Sequence, residues 1–149
     1  MDALNTILRK EAVELGLCQQ WQSEWLANKS VPQLIRMFKR GIDFCIEHDW
    51  PDAEWIRENF SRDELAAEHV YASEEDSVVD AVGVTVLKGC SDVTVNVRHH
   101  EVVTMHCIGC RGIRVNAANG SIVQVHLHDS AASLTIGSSG HASVRFFKH

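Results

Sequence analysis

No run of about eighteen apolar residues occurs in the 149-residue chain, so no membrane-spanning helix is expected. Met1-Asp2-Ala3-Leu4-Asn5 lacks a basic segment leading into an apolar block, and no secretory signal is read. The five cysteines are odd in number and form no disulfide framework, so the expected setting is a reducing cytoplasm. GxSxG, P-loop, dinucleotide-fingerprint and HExxH patterns are all missing, and none of the reactions they mark is indicated. Acidic residues are scarce in one half only. Residues 1–80 carry 17 acids and 8 bases (−9), residues 81–149 carry 3 acids and 6 bases (+3), and the sum is the net −6. Seven of the nine histidines lie in the second half, so its positive charge should rise as pH falls toward about 6. This split argues for two modules and against a chain-wide nucleic-acid surface.

What the second half does contain is a repeat. Val93-Thr94-Val95-Asn96-Val97, Val103-Thr104-Met105-His106-Cys107, Ile113-Arg114-Val115-Asn116-Ala117 and Val123-Gln124-Val125-His126-Leu127 follow one another every ten residues. Two looser rows end in Leu134-Thr135-Ile136 and Val144-Arg145-Phe146. Rows two apart match best: Gly89-Cys90 with Gly109-Cys110, Asn96 with Asn116, His106 with His126. A coil of twenty residues with two strands, as in a parallel β-solenoid, brings like residues into stacks. Odd positions then face inward, and Thr94, Asn96, His106, Arg114, Gln124 and His126 face outward. In the last rows the apolar residues move to even positions, which requires a bulge or longer corner between His128 and Ser133. The competing fold is an antiparallel β meander or roll turning at Asn119-Gly120.

The first half reads as helical. Leu4, Ile7, Leu8, Ala12 and Leu15 share one helix face, with Gly16 as its stop. Trp21, Trp25 and Leu26 mark a short second helix. Ser30 and Gln33 form a capping box, from which one apolar stripe runs through Leu34, Ile35, Phe38, Ile42, Cys45 and Ile46. Gly41 lies inside that stripe and is expected to admit a closely packed neighbour. Pro51 ends this helix and starts one carrying Trp55, Ile56 and Phe60; Ser61 and Glu64 cap a last short helix. The four tryptophans are read as core side chains of small helices. The fold class is thus α+β: a helical domain (1–70), a linker (71–82) and a β-solenoid of about three coils (83–149) that the helices cap at one end.

Three groups carry candidate chemistry. The outward residues Thr94, Asn96, His106, Arg114, Asn116, Gln124 and His126 form a polar ladder suited to a protein partner. His106, His126 and His128 are the candidate zinc ligands, since His126 and His128 share a strand face and His106 stacks beside His126. Gamma-class carbonic anhydrases also place histidines on solenoid faces, although their hexapeptide repeat is absent. Cys107-Ile108-Gly109-Cys110 has CxxC spacing, but Cys107 faces inward and Cys90 and Cys110 fall at equivalent corners, so packing accounts for them.

The run Ser30 to Pro51, with Leu34-Ile35, Met37-Phe38, Arg40-Gly41-Ile42-Asp43-Phe44-Cys45-Ile46 and Asp49-Trp50-Pro51, is followed by the β rows. In this the chain resembles a group of uncharacterised proteins of gut Bacteroides-type bacteria and their mobile elements or phages, which join a small helical domain to a β-solenoid. That resemblance implies the fold and no activity. The leading expectation is a binding or assembly module with no catalytic residues and no cofactor, self-associating through the C-terminal end of the solenoid. The alternatives are a zinc protein and a phage-borne inhibitor whose acidic half occupies a basic site on a host protein.

Overall fold

A computed structural model describes residues 2–129, 134–138 and 140–149. The chain divides into two compact units, Met1–Trp50 and Pro51–His149.

The first unit holds α1 (Ala3–Glu14), α2 (Gln19–Glu24), α3 (Val31–Arg40) and α4 (Ile42–His48). Asp2 caps α1 by accepting from the Asn5 N–H, and the expected capping box of Ser30 and Gln33 opens α3. The single helix read through Gly41 is two helices. Gly41 serves as C-cap of α3 and N-cap of α4, because its low helix propensity gives the chain a place to turn. A methyl group there would sit 3.3 Å from the Met37 carbonyl oxygen and about 4 Å from the Trp21 ring, so the close neighbour expected at Gly41 is Trp21. Of the tryptophans in this unit, Trp25 is buried, and its indole N–H donates to the fully buried Asn5 side chain at 2.9 Å. Asn5 in turn donates to the Lys29 carbonyl at 2.9 Å, so this buried polar pair is satisfied.

The second unit begins with α5 (Ala53–Asn59) and α6 (Arg62–Ala67), both of which pack against the first strand. Among the described residues the strands are β1 (Val70–Ala72), β2 (Val78–Asp80), β3 (Gly83–Lys88), β4 (Thr94–Val97), β5 (Val102–Ile108), β6 (Ile113–Ala117), β7 (Ile122–His128), β8 (Leu134–Ser138) and β9 (Ser143–Lys148). They form two sheets, β1-β3-β5-β7-β9 and β2-β4-β6-β8, with every pairing parallel. Successive strands therefore alternate between sheets, which is a β-solenoid and not the meander.

Register explains the repeat. Val86 pairs with His106, and His106 with His126, at a spacing of twenty residues. Val70 pairs with Val86 at sixteen, so an additional, shorter coil precedes those read from the sequence. Residues 71–82, expected as a linker, hold β2 and part of β1, and the solenoid starts near Val70 instead of residue 83. His126 pairs with Phe147, and Ile113 with Leu134, at twenty-one. The extra residue thus lies between His128 and Leu134, as the shift to even positions required. The shape of that corner, residues 130–133, lies outside the described residues.

Inward columns such as Val95–Val115 and Val103–Val123, together with Met105–Val125, are 0–1% exposed. Burying each such side chain contributes roughly 1.5–3 kcal/mol. At the corners the chain turns through left-handed residues. Gly120 has φ +77°, and a side-chain carbon added there would run into the ring of His100 in the coil before it. Only glycine meets both demands.

Candidate functional site

The outer face of the sheet β1-β3-β5-β7-β9 changes character from one end to the other. One outward column runs Val70, Val86, His106, His126, Phe147; the next runs Ala72, Lys88, Ile108, His128. At the β3 end these two columns are covered. Val86 is fully buried, and Lys88 is 4% exposed with its Nζ donating to the Pro51 carbonyl at 2.6 Å. A methyl group on Gly89 would come within 2.7 Å of Ala53 Cβ, which places the start of α5 over this corner. Beyond Ile108 the face opens, and it opens on histidine.

Four imidazoles and one phenyl ring are stacked there. His106 and His126 are 5.1 Å apart between ring centroids, His128 and His149 4.5 Å, and His126 and Phe147 4.8 Å, with planes within about 22° of parallel. Two diagonal contacts cross the strands. His106 Nδ1 lies 3.3 Å from His128 Nε2, joining β5 to β7, and His126 Nδ1 lies 3.0 Å from His149 Nε2, joining β7 to the residue after β9. Each is an N–H···N bond in which one ring donates and the other accepts, so one partner must present a bare nitrogen. Burial, followed by the charge of His149, holds the His126 imidazole below its ordinary value.

This arrangement brings His106, His126 and His128 together as expected, but face to face, with ring nitrogens directed at one another. Among the described residues no group of three or more His, Cys, Asp or Glu is placed to hold a metal ion. His149 and Phe147 were missed because they sit twenty-one residues after His128 and His126, not twenty. Adding the one-residue shift already visible in the apolar pattern would have found both.

The partner-facing ladder falls on two faces, not one. Gln124, His106 and His126 lie on the sheet just described. Thr94, Asn96, Arg114 and Asn116 lie on the other, where Asn116 donates to the Asn96 side-chain oxygen at 3.3 Å and Arg114 Nε donates to that of Asn116 at 3.3 Å. Each coil turns a corner between its strands, so residues ten apart in sequence face different directions.

Cys90, Cys107 and Cys110 are buried free thiols. Hydrogen bonding to Cys110, then burial, pushes the Cys90 and Cys107 thiols up. Cys110 Sγ donates to the Leu87 carbonyl at 3.3 Å, and these cysteines act as small core residues with satisfied S–H groups.

Like β1 and β2 at the other end of the stack, β8 and β9 pair on one side only among the described residues, with β6 and β7 respectively. Ile136 and Phe146 occupy the inward columns of Val115 and Val125, yet are 39% and 43% exposed. No helix among the described residues is long and apolar enough to cross a membrane. Comparison with known proteins found no matching family model, curated protein or solved structure.

Proposed function

We propose that the protein is a binding and assembly module that joins a second copy of itself through the β8–β9 rung. The observation that carries this reading is the pair Ile136 and Phe146, core side chains by register and surface side chains by exposure. An edge strand with open backbone groups and an apolar rung is the kind of surface proteins cover by pairing. At the opposite rung α5 and α6 pack against β1, which supports a closed pair over an open fibre. The five free cysteines support placing this assembly in a reducing, cytoplasmic setting.

Light scattering coupled to size-exclusion chromatography tests the proposal. The full chain should run as a dimer at high micromolar concentration, and Phe146→Glu should convert it to a monomer with an unchanged circular dichroism spectrum. A wild-type chain that stays monomeric throughout sinks the reading.

A further inference from the structure

The histidine stack is placed where it can control how firmly β9 is held. Among the described residues β9 has one hydrogen-bonding neighbour, β7, and the outer-face contacts that hold it run from Phe147 to His126 and from His149, the residue after β9, to His126 and His128. The backbone N–H of His149 also donates to the Leu127 carbonyl at 3.0 Å, so the ring contacts and the last backbone bond of this edge lie side by side.

We propose that the stack of His106, His126, His128 and His149 is a proton-operated latch, closed on β9 when the rings are neutral and released when they charge. Two features of the geometry support it. Each N–H···N contact holds a single proton between its nitrogens: a ring charged at its far nitrogen still donates, but once both rings of a pair are charged N–H is set against N–H. The pairs also touch each other, at 5.1 Å from His106 to His126 and 4.5 Å from His128 to His149, so protons added to one pair repel those added to the other.

The surrounding charges do not relieve that repulsion. On β9, Arg145 is on the same outer face, paired with Gln124, and Lys148 is exposed next to His149. On β3, Lys88 lies in the column of Ile108 and His128, tied to Pro51. The other outward residues of β5 and β7 are the uncharged Val102, Thr104, Ile108, Ile122 and Gln124. Against these stand Asp129, in the corner after His128, and, in the 149-residue chain used for the test, the terminal carboxylate. Lys148 lies in the inward column of Leu127, so the two cations and two anions around this face balance and leave protons on neighbouring rings to repel one another.

The latch is internal to one chain and does not depend on self-association. Hydrogen exchange read by mass spectrometry, corrected for intrinsic rate, tests it on the full chain between about pH 7.5 and about pH 5.5, the range over which imidazoles charge. Protection of the Val144–Lys148 amides should fall at least about tenfold across that range, a free-energy change of about 1.4 kcal/mol. Protection of Val103–Cys107 should hold. His126→Phe keeps a flat ring beside Phe147 and His106 and cannot charge, so the pH-dependent fall in its β9 protection should shrink. His149→Gln, at an exposed position, provides a second variant with the same expectation. A flat wild-type profile overturns the latch, and so does a wild-type fall that persists undiminished in both variants.

Discussion

Phe146 stands directly beside Val125 in one inward column of the solenoid, yet Val125 is wholly buried and Phe146 is 43% exposed. The same register position is core in one coil and surface in the next, which gives truncations along the stack different costs. Met105, the fully buried neighbour of Val125 on its other side, should lose about 2–5 kcal/mol on mutation to Ala, the usual cost of emptying a packed site. Phe146→Ala, measured where the chain is monomeric, should cost clearly less than the roughly 3–5 kcal/mol of a buried phenylalanine. Urea denaturation of both variants checks this, and equal costs would mean that the β9 rung is buried in solution.

Gly120 offers a test of corner geometry. Gly120→Ala combines a left-handed backbone with a clash against the His100 ring, and a destabilisation of about 1–3 kcal/mol is expected. His100→Ala in the same chain should recover only part of it, since the ring is removed but the backbone strain stays. Thermal unfolding of the two single variants and the double variant separates these parts. Full recovery would show that the backbone contributes nothing.

The solenoid was legible because Val93, Val95, Val103, Val115, Val123 and Val125 fill its inward columns with small apolar side chains at an unbroken spacing. Its first coil was not legible, since Val70–Asp80 repeats at sixteen residues and its strands are three residues each. The break at Gly41 was hidden because the apolar stripe continues across it from Phe38 to Ile42 while the backbone turns. Spacing placed His106 beside His126 but could not show the angle of the corner that sets Asn96 and Asn116 on another face. His149 was lost to a single inserted residue. A count of twenty lands on His128 from Ile108 but misses His149 from His128.

A different balance of forces operates around Glu74, which is nearly buried and accepts from Arg62 Nε at 2.7 Å and Arg57 Nη1 at 3.1 Å. These bonds tie α5 and α6 to the corner between β1 and β2. Because the carboxylate is desolvated while Arg62 is half exposed, the two partners should not be equivalent. Glu74→Ala should cost about 1–3 kcal/mol, and Arg62→Ala no more than about 1 kcal/mol. Denaturant midpoints of the two variants decide it, and a larger loss at Arg62 would relocate the strength of this contact.

The pH dependence of stability should separate into two windows with distinct origins. Asp2 is held at about 2, below its ordinary 3.8, first by the Asn5 backbone N–H and then by the Asn5 and Asn28 side chains. Its contribution to the first unit is present above 3.8 and is lost as pH falls toward about 2. His126 has an ordinary value of 6.5 and is held lower in the folded chain, first by burial and then by His149. Its unfolded form therefore takes up a proton before its folded form does. The stability it contributes is complete above 6.5 and declines as pH drops through 6.5 toward the lower folded value. Unfolding monitored in the Pro51–His149 unit should accordingly weaken on passing from about pH 7.5 to about pH 5.5, well before carboxylates titrate. His126→Gln should flatten that decline and leave the acid window of Asp2 untouched. An unaltered decline in this variant would move the responsible proton to another of the histidines.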